Sequence, residues 1–285
     1  MEIKTFYHKD TNTFSYIVYE PTTKDAVIFD CVLDYHKASS TISYDSVEEV
    51  IDFLQQQQLV LHYIIESHIH ADHLSAAQYL KSKYPLAKTA VSTQITLVQE
   101  TFSKIYNFAD MSVDGSQFDS LFADGDIIEA GKLTLNIMHT PGHTPTCMSV
   151  LIEDCLFTGD SLFIPDFGTG RCDFPNGSAE QLYSSVSEKL YTLPDKTRVF
   201  VGHDYQPGGR ELRSETSILE SKKHNIQLTE QTSREEFVDF RTARDKLLSA
   251  PTLLLPSIQI NMQAGLLPIA EDNEVSYLKI PLSIK

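Results

Sequence analysis

Short runs dense in aromatic and β-branched residues open the chain. Phe14-Ser15-Tyr16-Ile17-Val18-Tyr19 and Ala26-Val27-Ile28-Phe29-Asp30 flank the turn-rich segment Pro21-Thr22-Thr23-Lys24-Asp25, which predicts an N-terminal hairpin. The period then lengthens. Val47, Val50, Ile51 and Leu54 recur at helical spacing behind Ser46, and Glu49 three residues on predicts a capping box. Ile95, Val98, Phe102 and Ile105 form a second apolar stripe. Ser178 with Gln181 and Ser233 with Glu236 open two more helices. The first is expected to bury Leu182, Val186 and Leu190, the second Phe237, Phe240, Leu247 and Leu248, with a stop before Pro251. Between the helices, Leu133, Leu135 and Ile137 alternate with more polar neighbours as a half-buried strand does. The segments 147–152 and 155–158 flank Glu153-Asp154 as a hairpin. Hairpins mixed with helical crossovers argue for sheets covered by helices rather than a purely parallel doubly wound sheet.

Composition narrows the partners. The 285 residues, 41% hydrophobic and 22% charged, are those of an ordinary globular chain. Twenty-three Lys and Arg against 39 Asp and Glu leave a net charge of -16, which disfavours nucleic acid and anionic membrane surfaces as partners. An anionic substrate would therefore need cations placed locally. The N-terminus carries no secretory pattern, and no run approaches the roughly 18 apolar residues of a membrane span. Cys31, Cys147, Cys155 and Cys172 form no Cys-x-x-Cys pair, so a reduced cytoplasmic setting with free thiols is expected.

The chemistry concentrates in Ser67-His68-Ile69-His70-Ala71-Asp72-His73, directly after the apolar run Tyr63-Ile64-Ile65. Three imidazoles and a carboxylate this close are costly to crowd together without a cation, because protonated histidines repel. In a turn after a strand His68 and His70 can converge on one point, while Asp72 and His73, expected at the start of the next helix, face a neighbouring one. The grouping has room for one or two ions, at the roughly 3.5 to 4 Å spacing of two-metal sites. Three further candidates follow predicted strands, each behind a glycine: His143 in Thr-Pro-Gly-His, Asp160 in Thr-Gly-Asp-Ser and His203 in Val-Gly-His-Asp. A lone Gly-His or Gly-Asp is usually a turn; together with His-x-His-x-Asp-His the set points to a metal site. His8, His36, His62, His139 and His224 lack that context and read as surface or structural residues.

At these residues the chain resembles the metallo-β-lactamase superfamily. The resemblance implies an α+β fold, an αββα sandwich of two mixed β-sheets flanked by helices, with the metal at one open edge. It also implies a catalytic domain over 1–205 and a C-terminal extension over 206–285 packed on the same domain. Within the superfamily, Thr158-Gly159-Asp160-Ser161-Leu162-Phe163, Gly170-Arg171-Cys172-Asp173-Phe174 and Gly202-His203-Asp204-Tyr205 are most similar to the persulfide dioxygenases related to the ethylmalonic encephalopathy protein, especially their longer bacterial members. Cys172 departs from the threonine common there.

That likeness implies one Fe(II) per chain on His68, His143 and Asp160, a two-His, one-carboxylate arrangement that leaves positions open. The implied reaction takes glutathione persulfide, dioxygen and water to sulfite and glutathione. His70, Asp72, His73 and His203 would orient ligands and waters, with Asp72 and His73 the candidate catalytic side chains beside the metal. The competing likeness is to glyoxalase II and its thioesterase relatives. There the same residues would hold a binuclear Zn or mixed site, with His68, His70 and His143 on one ion, Asp72, His73 and His203 on the other, and Asp160 bridging; two cations would activate water against a thioester. Cys172-Asp173-Phe174, where glyoxalase II has two aromatics and a Glu, and the lack of an Asn-rich helical segment after His203 favour the dioxygenase. A closed structural zinc site would need four ligands, often Cys, and is disfavoured.

Arg171, behind the turn Phe167-Gly168-Thr169-Gly170, is a candidate to hold a glutathione carboxylate; its alternative is pairing with Asp166 or Asp173. Arg210 and Arg213 are weaker candidates, and Tyr205 offers a hydroxyl. Cys172 is expected to pack rather than react. Residues 206–285 carry helical and then extended signals, and border the cleft or form a homodimer element.

Overall fold

The structure, a computed structural model, describes residues 1–282. The N-terminal hairpin is made of β1 (Glu2–His8) and β2 (Thr13–Tyr19), paired from Glu2 with Tyr19 to His8 with Thr13. The expected second strand, β3 (Asp25–Phe29), pairs antiparallel with the other edge of β2. A small ribbon of β4 (Val32–His36) and β5 (Thr41–Ser43) follows, then α1 (Asp45–Gln56) and β6 (Val60–Ile65), which runs parallel to β3. After β7 (Leu74–Ser75), an edge partner of β4, come α2 (Ala77–Lys83), β8 (Lys88–Ser92), α3 (Ile95–Tyr106) and β9 (Ser120–Phe122). The first sheet has the order β1-β2-β3-β6-β8-β9.

The second sheet is built from β10 (Ile127–Ala130), β11 (Leu133–His139), β12 (Met148–Ile152), β13 (Cys155–Phe157), β14 (Arg198–Phe200) and β15 (Glu215–Ser217), in that order. Only β13 and β14 run parallel, joined by a crossover containing α4 (Ala179–Tyr183). The chain ends in α5 (Ile218–His224), α6 (Arg234–Asp245) and α7 (Leu254–Asn261).

Period-two patterning explains how the layers stack. On β2, Tyr16 and Val18 enter the core between the sheets, while Ile17 and Tyr19 face the opposite way, against α1 and α2. Between the sheets Phe29 stacks on Phe157 at 4.6 Å and Phe157 on Phe200 at 5.1 Å. Outside the first sheet lie Val47, Val50, Ile51 and Leu54 of α1; Leu182, Val186 and Phe237 cover the second. The result is two mixed sheets face to face with helices outside. No described helix is long and apolar enough to cross a membrane.

Several local expectations change. Ser46 does not cap α1: the helix begins at Asp45, and the Ser46 N–H and hydroxyl both donate to Asp34, at 2.9 and 2.6 Å. A carboxylate from β4 takes the task that Glu49 was expected to share. The Ser233–Glu236 capping box does form, but α6 stops at Asp245. Its buried face is Phe237, Arg241 and Asp245, four residues apart, so Phe240 and Leu247 stay 44% and 86% exposed. Ile105 similarly falls off the buried face of α3. The extended signals near 275–281 form no strand among the described residues.

Residues beyond His203 wrap the sandwich near its open edge. Ile258 and Met262 join Ile69, Val91, Ile95 and Phe102 in an apolar cluster behind the histidine loop. Arg241, fully buried, donates to the carbonyls of Thr169 and Gly170 at 3.2 Å each.

Candidate metal centre

Four strand ends converge on one edge. β6 delivers Glu66 and then the irregular segment Ser67–His73; the β11–β12 connection carries His143; β13 and β14 end just before Asp160 and His203. Parallel pairing of β13 with β14 sets the last two side by side. Gly202 N–H donates to the Gly159 carbonyl at 3.0 Å, and a Cβ at Gly202 would lie 2.7 Å from Asp160 Oδ1. The glycine before His203 is thus required by close approach to the neighbouring carboxylate.

All seven residues read from the sequence are brought together. His143 Nε2 and His68 Nε2 lie 3.5 and 3.9 Å from Asp160 Oδ2, and the three form a group whose ligand atoms are within 4.8 Å of one another. His70, Asp72 and His73 form a second such group. His203 Nε2 lies between them, 3.4 Å from Asp72 Oδ2 and 3.3 Å from Asp160 Oδ1. Asp72 and His73 do not begin a helix as expected; they sit in a bend ahead of β7, and α2 starts at Ala77.

The hydrogen bonding suits a cation. Each histidine has one ring nitrogen anchored: His68 Nδ1 to Ser67 Oγ at 3.0 Å, His70 Nε2 to Asp30 at 3.0 Å, His73 Nδ1 to the Leu74 carbonyl at 3.2 Å, His143 Nδ1 to the Arg171 carbonyl at 2.6 Å, and His203 Nδ1 to the Asn12 carbonyl at 3.1 Å. The other nitrogens of His68, His70, His73 and His203, with Asp72 Oδ2 and Asp160 Oδ1, are buried without a hydrogen-bond partner. So many buried polar atoms without a partner at one point are costly unless a cation satisfies them.

Electrostatics follow the same geometry. Burial and repulsion from His70 hold His68 well below the ordinary imidazole range, and the same two causes bring His73 down to about 3. His70 goes the other way. Burial would lower it, but the Asp30 carboxylate, with Glu66 behind it, holds it well above. Burial also opposes the charge on His203, where Asp160 and Asp72 outweigh it.

The structure adds three residues to the centre that the motif does not include. Asp30, in the left-handed region at φ 51°, accepts from the Ser67 N–H at 2.7 Å, from its hydroxyl at 2.8 Å, and from His70. Buried Glu66 accepts from Ser75 Oγ at 2.5 Å and lies 3.3 Å from His70 Nε2. Asn261, at the end of α7, bonds to the backbone of His70, His73 and Ser75. A strand-end acid such as Asp30 obeys the same grammar as Asp160 and could have been found that way. Nothing local marks Asn261.

The proposed substrate contacts fare unevenly. A cavity of about 810 Å³ opens beside the centre, lined by Asp72, His73, His143, Asp160, Arg171 and Tyr205 among others. Arg171 reaches it, but Asp173 grips its guanidinium at 2.5 and 2.6 Å and the Ser249 carbonyl accepts at 2.8 Å. Tyr205 stacks on the His203 ring at 5.7 Å. The structure gives Arg210 a different task from the one expected. It lies off the cavity lining, and Asp166, Asp204 and the Glu211 carbonyl take its donors at 2.5 to 2.8 Å. Cys172 is buried and its thiol is pushed up by burial, the opposite of an activated nucleophile. All four cysteines are free.

The sequence pattern described as the metallo-beta-lactamase superfamily matches residues 8–203. The chain belongs to the metallo-β-lactamase superfamily. It is 45% identical over 284 residues to glyoxylase B2 of Dictyostelium discoideum, covering 99% of this chain and 97% of that one. It is 30% identical over 255 residues to the mitochondrial persulfide dioxygenase ETHE1 of Homo sapiens, covering 89% of this chain and 84% of the other. The crystal structure of ETHE1 from Myxococcus xanthus superimposes with a TM-score of 0.75 at 30% identity, covering 93% of this chain and all of that one.

Proposed function

We propose that the protein is an iron-dependent persulfide dioxygenase that converts glutathione persulfide, dioxygen and water to glutathione and sulfite, with two protons released. The observation that carries the reading is the group His68, His143 and Asp160, whose facing atoms Nε2, Nε2 and Oδ2 lie together beside the cavity. Similarity along most of the chain to human ETHE1 supports it.

These three residues would hold the metal. Fe(II) bound there would supply open coordination positions and the redox chemistry that brings a soft persulfide sulfur and dioxygen together. The chain's own contribution is preorganisation. The Arg171 carbonyl fixes the His143 tautomer so that Nε2 faces inward without a proton, and Ser67, itself donating to Asp30, orients His68. Asp72 Oδ2 lies 3.4 Å from His203 Nε2, so the carboxylate and the imidazole form a pair that can share one proton at the edge of the cavity. Tyr205, stacked on the His203 ring, lines that side of the cavity.

A second reading, hydrolysis of a glutathione thioester on a binuclear site, is favoured by the adjacent group His70, Asp72 and His73 and by the similarity to glyoxylase B2. Metal analysis joined to an oxygen electrode separates the two. About one iron per chain with oxygen uptake on glutathione persulfide supports the dioxygenase. Two metals with hydrolysis of S-lactoylglutathione and no oxygen uptake would replace it with the hydrolase.

A further inference from the structure

Three formal cations line the cavity beside the metal residues: Lys37, Arg171 and Arg244. Lys37, near the β4–β5 turn, is exposed, so its charge is largely spent on solvent. Arg171 is neutralised by the two-pronged bond from Asp173. Arg244, on α6, is different. Its nearest carboxylate, Asp245, stands 3.8 Å away, beyond hydrogen-bond range, and its side chain is 37% exposed. Both Asp245 oxygens are already engaged, one by Arg241 at 2.7 Å and the other by the Cys172 N–H at 2.7 Å. Among the described residues no side-chain or backbone acceptor takes a donor from the Arg244 guanidinium.

A guanidinium about two-thirds covered, with unspent donors, facing a cavity that begins at a metal group, is arranged to receive a planar anion. Burial and the neighbouring Arg241 charge both disfavour the Arg244 cation, so an incoming anion relieves a cost already present in the fold. The same lining carries Asp10 and Asp45, for which no ion pair forms among the described residues. That mixture suits an amino-acid-like ligand with both signs of charge better than a polyphosphate.

We propose that Arg244 is the specificity-determining anchor for a carboxylate of a zwitterionic thiol or persulfide, holding the ligand by its end remote from sulfur. The proposal rests on the reading that the cavity takes a thiol-derived small molecule, whichever chemistry follows.

Binding of glutathione to the metal-loaded enzyme under anaerobic conditions, followed by calorimetry, tests the anchor apart from turnover. Arg244→Gln should weaken glutathione by roughly 10- to 100-fold, the size expected for losing a charged hydrogen-bonded partner. Arg244→Lys should recover part of the loss. Glutathione diethyl ester, with its carboxylates masked, should bind the wild-type enzyme weakly and be indifferent to Arg244→Gln. Equal glutathione affinity in wild type and Arg244→Gln, an equal loss for the ester, or no measurable glutathione binding to the wild type would each overturn the proposal. Should the Gln variant fail to fold, the acid-against-ester comparison on the wild type and Arg244→Lys decides it: equal affinity for acid and ester removes the anchor. Arg244-dependent binding with no oxygen uptake on glutathione persulfide would support the anchor while overturning the dioxygenase reading.

Discussion

The side-chain amide of Asn261 donates to the carbonyl of His70 at 2.9 Å and to that of His73 at 2.8 Å, while its oxygen accepts from the Ser75 N–H at 2.8 Å. A buried residue near the C-terminus thus pins the loop that carries the first histidine pair. Removing it leaves two carbonyls and an N–H buried without partners. Asn261→Ala should cost about 2 to 4 kcal/mol of stability, and should lower metal affinity roughly 10- to 100-fold. Chemical denaturation of the metal-free protein reads the first, metal titration the second. Wild-type metal affinity in a folded Asn261→Ala variant would remove the residue from the site's support.

Gly170 makes a second prediction, one of pure sterics. A Cβ there would lie 2.3 Å from the Asp160 carbonyl oxygen and 3.1 Å from His143 Cγ. Neither the backbone nor the imidazole can give way without moving a proposed metal residue. Gly170→Ala should therefore depress iron content and oxygen uptake together by well over tenfold, since misplacements of about 1 Å can cost a hundredfold. Full iron loading with normal activity would show that the loop absorbs the methyl group.

The sequence disclosed what is encoded locally and hid what is recruited from afar. His68, His143, Asp160 and His203 were legible because each follows a strand and most sit behind a glycine, so their convergence needed only the sheet edges to meet. Asn261 and Arg244 reach the centre or its cavity through packing, and carry no spacing signal. Arg171 and Arg210 lie near the right strand ends; Asp173, one of the two partners the sequence offers Arg171, pairs with it, while only the fold brings Asp166 and Asp204 to Arg210. The helices were readable in their caps at Ser178 and Ser233. The buried face of α6 departs from the expected one because it includes Arg241, a charged residue that periodicity counts as outward.

Metal stoichiometry in variants distinguishes one ion from two. If His68, His143 and Asp160 alone hold the metal, His73→Ala should keep about one ion per chain, and His143→Ala should lose nearly all of it. In a binuclear enzyme His73→Ala would fall from two to about one. Elemental analysis of the purified variants reads this directly. A His73→Ala protein that loses its only ion would contradict both assignments.

Acid should destabilise the metal-free protein in a defined window. Burial and the charge of neighbouring His70 bring His73 down to about 3, against an ordinary value of 6.5. Between those two values the unfolded chain binds a proton that the folded chain refuses, so stability falls as pH drops from 6.5 towards 3, with a slope of up to about 1.4 kcal/mol per pH unit for one such group. His68, lowered by the same causes, acts in the same direction. His70, raised by Asp30 and Glu66 despite burial, acts oppositely: its contribution is complete below 6.5 and is lost as pH rises through its elevated folded value. Denaturation of metal-free protein between pH 4 and 6.5 should therefore show a positive slope with pH that His73→Asn flattens. A slope unchanged in the variant would mean that His73 takes up its proton in the folded chain, and that the crowding of these imidazoles is relieved without a metal.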